Sequence, residues 1–299
     1  MSTSRTLGDL NAGAGEFVPA RRRFGALRRL LRRPTAACAV VILSIFLLLA
    51  AFPEPFAPYG ENEPTQAYFQ SPNFKHLLGT DNLGRDVFSR VVYGARASFL
   101  VGVMAVLMGT LSGSLLGIST GYFGGRIDYF GQRIVDILMS LPGILMALVI
   151  AAGLGASLRN VALAIAVAIL PTSARIVRGS TLAVVSMPFI EASRATGAGH
   201  LRVMFRHVLP NVAAPMLVIA SVQLGFAIIA EASLSFLGLG VPLGTSTWGT
   251  MLSGSSLLYV QRAPWMGIAP GIALMLVIMA TNLFGDALRD TWDPRMRGR

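Results

Sequence analysis

EASRATGAGHLRVMFRHVLPN, from Glu191 to Asn211, is a polar, arginine-bearing stretch set between two long apolar runs. A segment of that composition in that place lies in water and joins two membrane spans. Its residues predict two short helices. Pro188 suits a first helical turn, where its missing N–H costs nothing, and Glu191 meets the positive end of the helix dipole. Ala192, Ala195 and Ala198 are small enough to let another surface approach closely. Gly197 and Gly199 break the first helix, and Gly197 reads as the joint between the two. Leu201, Met204, Phe205 and Val208 then follow at i, i+3, i+4 and i+7, an apolar stripe with Arg202 and Arg206 off it. Pro210 closes the unit. An amphipathic connector lying on the membrane surface is the other reading of the same residues.

Working outward, composition agrees with a bilayer setting. Hydrophobic residues make up 54% and charged residues 13% of the 299, against roughly half and a quarter in soluble domains, and the mean hydropathy is +0.63. Six apolar runs, near 35–52, 97–121, 133–153, 160–178, 212–238 and 266–286, are each long enough for a ~30 Å core at ~1.5 Å per residue. The expected fold class is therefore an all-α polytopic membrane protein with six transmembrane helices. The third run is the least regular, with Asp136 and Pro142 inside it, and the fourth carries Pro171, Arg175 and Arg178.

Basic residues set the orientation. Eight arginines from Arg5 to Arg33 precede the first run. Arg126, Arg133, Arg175, Arg178, Arg194, Arg202 and Arg206 fall in or beside alternate connections, and Arg289, Arg295, Arg297 and Arg299 follow the last run. The remaining connections hold only Lys75, Arg85, Arg90, Arg96, Arg159 and Arg262, nineteen against six. Both termini and the Glu191 loop are expected in the cytoplasm. The net charge of +11 thus needs no nucleic-acid partner: the arginines before residue 35 fit membrane lipid headgroups and topology. The 35–52 run is too long for a signal-peptide core and lacks a clean cleavage site, so it reads as a retained span. Cys38, the single cysteine, permits no internal disulfide and reads as a buried, inert thiol.

The segments Glu191-Ala192-Ser193…Gly197…Leu209-Pro210, HLLGTDNLGRDVFSRVVYGARASFLVG (His76–Gly102), EASLSFLGLGVPLGTSTWGTML (Glu231–Leu252) and NLFGDALRDTWDPR (Asn282–Arg295) resemble permease subunits of binding-protein-dependent ABC importers. The similarity is to the C-type permease of the dipeptide/oligopeptide/nickel branch. Ser193 departs from that family's second alanine but is equally small. The resemblance implies a type I ABC importer transmembrane fold in a bacterial inner membrane. It also implies half of a translocation path for peptides or a related small solute, nickel included. The implied partners are a second homologous permease, two cytoplasmic ATPases that bind ATP and magnesium, and an external substrate-binding protein, with no cofactor in this chain. Glu191, Ala192, Ser193, Ala195, Gly197, Ala198, Leu201, Leu209 and Pro210 would be the ATPase-coupling loop, within 186–210.

The implied organisation is a tail and first span (1–53), an external segment with an interfacial helix started by Asp81 or Asp86 (54–96), a five-helix core (97–286) and a tail (287–299). Gly109, Gly113, Gly117 and Gly121 recur every four residues and lie near one helical line, a surface for close helix packing within the subunit or against a partner. Asp136, Arg175, Glu231 and Asp286 are ionisable near membrane depth, which points to internal pairing or to the translocation path. His76, His200 and His207 lack the clustering that a metal site needs. No P-loop, G-x-S-x-G or H-E-x-x-H pattern occurs, so a non-catalytic subunit is expected. A secondary transporter should show broken helices in two repeated halves, and a membrane-embedded enzyme clustered catalytic groups; these remain the alternatives.

Overall fold

Ten helices form the structure, a computed structural model that describes residues 34–242 and 244–292. The arginines from Arg5 to Arg33 and from Arg295 to Arg299 lie outside the described residues. In chain order the helices are α1 (Pro34–Ala51), α2 (Val87–Phe123), α3 (Gly125–Met139), α4 (Gly143–Leu154), α5 (Leu158–Val185), α6 (Pro188–Ala195), α7 (His200–Phe236), α8 (Trp248–Leu252), α9 (Ser255–Leu258) and α10 (Trp265–Trp292). Among the described residues there is no strand, only the isolated bridges Pro64–Arg85 and Thr80–Asp86.

Five of these helices, α1, α2, α5, α7 and α10, are long and apolar enough to cross a membrane. The sixth expected span is not one rod. The 133–153 run is divided between α3 and α4, which meet at an 86° bend. Pro142 sits at the N-cap of α4 with φ −56° and ψ 128°; its ring forbids the helical hydrogen bond that would carry α3 onward. Counted as one broken span, the pair makes six.

The start of α2 also differs from the expectation. Asp86 caps its start, accepting from the Ser89 backbone N–H at 2.8 Å, and the helix runs unbroken to Phe123. The interfacial helix expected before residue 97 is therefore the first turns of α2. At ~1.5 Å per residue its 37 residues span about 55 Å, well beyond a ~30 Å core.

The bundle is built on α2 and α5. Gly109, Gly113, Gly117 and Gly121 all face α5. A Cβ on Gly109 would stand 2.6 Å from the Ala166 carbonyl oxygen, one on Gly117 2.5 Å from that of Ala174, and one on Gly121 2.9 Å from the Thr181 Cβ. Gly113 meets the Leu170 carbonyl at still closer range. Each four-residue step along α2 meets the next four-residue step along α5, so the two helices are parallel. Parallel neighbours need a return crossing between them, and α3–α4 supplies it.

Around this pair, Val101, Ala105, Ala147, Ile165, Ile169, Ala227 and Leu234 make a core shared by α2, α4, α5 and α7. A second core joins α1, α2, α7, α8 and α10 about the fully buried Trp248, which Phe46 and Phe99 meet edge-on at 5.5 and 6.3 Å. The outermost helix is α1, with only Ala36, Ala39, Phe46 and Ala50 buried. Cys38, expected inside, is exposed, because the small residues that pack inward here are its neighbours Ala36 and Ala39.

Replacing both Gly113 and Gly117 with leucine should force α2 from α5. Each substitution overpacks a backbone contact that cannot yield, at about 1–3 kcal/mol or more. Detergent-extracted Gly113→Leu/Gly117→Leu protein should show little monodisperse material and a lowered thermal midpoint. Wild-type yield and midpoint would contradict the packing described.

Candidate functional site

The Glu191 stretch forms a compact hairpin at one end of the bundle. Pro188 occupies the first turn of α6 and Glu191 lies in that turn without a side-chain cap. The end of α6 is closed by a left-handed residue: Gly197 has φ +81°, its N–H bonds to the Arg194 carbonyl at 2.9 Å, and the Ala198 N–H reaches back to the Ser193 carbonyl at 3.2 Å. That paired pattern is the Schellman termination, for which glycine is favoured because a Cβ strains the left-handed conformation. Gly199 follows in extended conformation and starts α7.

Beyond Gly199 the structure departs from the sequence expectation. There is no second short helix. The chain passes through a π turn at Met204–Val208 and continues without a stop to Phe236. Pro210 does not close the unit but lies inside this helix. The Leu209 N–H bonds five residues back, to the Met204 carbonyl, and the Asn211 side chain donates to the His207 carbonyl at 2.7 Å. A widened turn before a proline accommodates the ring that would clash with a regular helix.

The extra residue in that turn also divides the expected stripe. Val203, Met204 and Val208 are buried together with Ile190 against Ile118, Tyr122 and Val177. Leu201 and Phe205 are exposed. The hairpin is held to the end of α2 by Tyr122, whose hydroxyl meets the His200 ring at 3.1 Å and whose face carries the Arg194 guanidinium at 4.9 Å. Glu191, Ala192, Ala195, Gly197 and Pro210 are exposed, while Ser193, Ala198 and Leu209 are half-buried. The result is a firmly anchored knob with a small-residue surface and the projecting apolar side chains of Phe189, Leu201 and Phe205.

The ionisable residues at membrane depth are largely paired. Asp136 on α3 accepts from Arg175 on α5 at 2.5 Å. Two turns earlier on α3, Asp128 takes both Nε and Nη2 of Arg178, each at 2.5 Å, a bidentate contact. Glu231 on α7 is fully buried and accepts from Ser98 at 2.9 Å and Ser235 at 2.7 Å. Asp286 is exposed. Among the described residues no group of three His, Cys, Asp or Glu could hold a metal ion.

The comparisons bear on this arrangement directly. Residues 113–298 match the family described as the binding-protein-dependent transport system inner membrane component. Residues 25–76 match the N-terminal transmembrane domain of oligopeptide transport permease C. The chain belongs to this permease family. It is 40% identical over 274 residues to the dipeptide transport system permease protein DppC of Alkalihalophilus pseudofirmus, covering 91% of this chain and 90% of that one. A putative peptide transport system permease protein of Brucella suis is 40% identical, covering 90% of this chain and 91% of its own. The glutathione transport system permease protein GsiD of Pectobacterium atrosepticum is 38% identical over 90% of each. The chain is accordingly a multi-pass membrane permease component with the type I ABC importer transmembrane fold.

Sequence reasoning left unassigned the polar clamp at the permease's opposite end. Asp81, almost fully buried, accepts four hydrogen bonds: Arg85 Nε and Arg90 Nη1 at 2.7 Å each, and the backbone N–H groups of Leu83 and Arg85 at 2.8 and 2.9 Å. Arg90 also donates to Ser246 at 3.1 Å, tying the start of α2 to the segment before α8. Beside it Asp86 accepts from the Ser89 hydroxyl and pairs with the His76 ring at 2.9 Å, and Tyr59 stacks on that ring at 5.0 Å. The signal lay in the sequence, two acids and two arginines within ten residues beside a helix start.

Removing the Asp81 carboxylate strands two arginines that are largely buried. Asp81→Ala should cost about 3–5 kcal/mol, the penalty for an uncompensated buried charge, read as a lower thermal midpoint of the purified permease. Adding Arg90→Leu should recover part of the loss; an Asp81→Ala protein as stable as wild type would contradict the clamp.

Proposed function

We propose that this chain is the non-catalytic permease subunit of an ATP-driven peptide importer and that Glu191–Pro210 docks on a cytoplasmic ATPase. The observation that carries the reading is the α6–α7 hairpin, an exposed knob whose base is packed into the bundle and whose turn depends on Gly197. In this reading two ATPase subunits bind ATP and magnesium, a second homologous permease completes the path, and an external binding protein delivers the substrate. Closure of the ATPase pair pushes the knob. Because Ile190, Val203 and Val208 lock it against Ile118, Tyr122 and Val177, the push is passed to α2, α5 and α7 and shifts them against one another, which is alternating access driven from outside the chain. The peptide assignment is drawn from the relatives named for dipeptide, peptide and glutathione transport.

Orientation follows from the arginines: both termini and the hairpin face the cytoplasm, and the Asp81 clamp faces the binding protein. In intact cells carrying Cys38→Ser, a membrane-impermeant maleimide should label Ser71→Cys and leave Gly199→Cys unlabelled. External labelling of Gly199→Cys would sink this topology.

Gly197→Val introduces a β-branched residue at φ +81°, a strain of about 1–3 kcal/mol placed at the joint itself. Transport should fall to background while insertion in the membrane survives, and ATPase co-purification or the response of ATP hydrolysis to the loaded binding protein should be lost. Glu191→Ala should do less, since an exposed contact contributes only ~0–1 kcal/mol. Coupled hydrolysis and transport at wild-type rates in Gly197→Val would remove the coupling role.

A further inference from the structure

At the bend between α3 and α4 there is a cavity of about 220 Å³, lined among others by Met139, Gly143, Met146, Thr172, Gln223 and Phe226. Several waters at ~30 Å³ each, or one peptide unit with small side chains, would fit such a space. Gln223 is 9% exposed, and its amide makes no hydrogen bond among the described residues; nor does the hydroxyl of Thr172. Unlike the hydroxyls of Thr110, Ser114, Ser173 and Thr181, which are sealed in the bundle without a partner, the Gln223 amide opens on the cavity, where a polar occupant can reach it.

Three further features converge there. Gly143 is the first residue of α4, a helix start without a side-chain cap, so its first N–H groups remain available as donors beside the cavity. Pro171, also in the lining, has no N–H to give the carbonyl of Val167 one turn earlier. Non-helical backbone at membrane depth, such as Ser140–Pro142, is tolerated where it is buried in protein or lines a watery space. No lining residue carries a formal charge. The nearest charges, Asp136 and Arg175, lie one turn away on α3 and α5 and neutralise one another at 2.5 Å.

We infer that Gln223, Thr172 and the start of α4 form a site in the translocation path that reads the backbone amide of a passing peptide. The chemistry is complementary: the Gln223 carbonyl accepts from a peptide N–H while its NH₂ donates to the neighbouring peptide C=O, and Thr172 and the α4 N–H groups serve a second carbonyl. Phe226, Met139 and Met146 give a compliant apolar wall that accepts varied small side chains. A neutral, amide-bearing lining suits an uncharged peptide unit better than a bare cation or an anion. The site would hold the substrate weakly, by hydrogen bonds already present in water, which is what passage requires.

This inference rests on the peptide-import reading, and the test separates the two. The complete complex, with its binding protein and ATPases, is reconstituted in proteoliposomes. Uptake is measured for radiolabelled alanine peptides of two to five residues and for the ester analogues in which lactate replaces one internal or C-terminal alanine, at matched occupancy of the binding protein. Wild type should take up the amide roughly tenfold faster than the ester, the effect of one lost hydrogen bond and one stranded acceptor. Gln223→Leu should bring that ratio close to one, and the near-isosteric Thr172→Val should lower it in part. Because the readout is a ratio within each preparation, a reduced yield of folded complex leaves it intact. An unchanged ratio in Gln223→Leu, or no discrimination in wild type, overturns the site while leaving peptide import standing. Failure of wild type to take up any alanine peptide overturns the peptide reading itself, and this site with it.

Discussion

The backbone-to-backbone contact of α2 with α5 is the constraint from which the remaining architecture follows. In a bilayer no hydrophobic drive pulls helices together, so close approach has to come from surface shape. Glycine at 109, 113, 117 and 121 removes every Cβ along one line of α2 and lets carbonyls of α5 come within the distance a side chain would occupy. Because the two helices are parallel, the chain must return across the membrane between them, and it must do so beside a pair already in contact. The return cannot run between α2 and α5; it lies against their outer edge, where Gly131 of α3 meets Thr120 of α2 and Asp128 and Asp136 take the arginines of α5. The bend at Pro142 then turns α4 into the core made with α5 and α7.

Features set by short-range chemistry could be read directly from the residues. The glycine spacing, the helix start at Pro188 and the break at Gly197 each involve a residue whose backbone or packing behaviour is local, and the five long spans follow from composition. What escaped depends on geometry that sequence does not encode locally. Residues 133–153 look continuous because a single proline in an apolar run kinks some helices and breaks others, and the 86° bend found here is set by tertiary packing that the run itself does not show. Leu201 and Phe205 satisfied the period of an α-helix, but the π turn changes the number of residues per turn. Cys38 was misplaced because α1 is the outermost helix, and an apolar residue on such a helix faces outward without cost. The acids and arginines around Asp81 are close in sequence, but the tie from Arg90 to Ser246 joins residues 156 positions apart, and the Gln223 cavity draws its lining from Leu138 to Phe226, distances over which pattern reading has no purchase.

The two ends of the bundle are held by different physics, and the difference suits a lever. At the hairpin end the contacts are apolar and broad: Ile190, Val203, Met204 and Val208 against α2 and α5. Such contacts tolerate small sliding while transmitting force through close packing. At the opposite end the Asp81 and Asp86 networks are directional, with seven hydrogen bonds or ion pairs of fixed geometry to named partners. Short charge-assisted bonds resist displacement and, once broken, leave buried charges stranded. A push at the hairpin would therefore rotate the helices about the clamped end instead of loosening it.

Between the ends, the compliance falls at the α3–α4 bend. The bend is the one place along the return crossing where helical hydrogen bonds are already missing, so a change of angle there breaks few bonds, and its non-Gly, non-Pro residues Ser140 and Leu141 are exposed. The pairs Asp128–Arg178 and Asp136–Arg175 fasten α3 to α5 on one side of it, while on the other side α4 packs mainly on α5 and more lightly on α7. A shift of α7 relative to α5 would change the width of the space beside Gln223, because Gln223 and Phe226 stand on α7 while Leu138, Met146 and Thr172 stand on α3, α4 and α5. A weakly binding site placed at that point would gain or lose its occupant as the helices move, and a push on the knob would then reach the substrate without any residue that touches both.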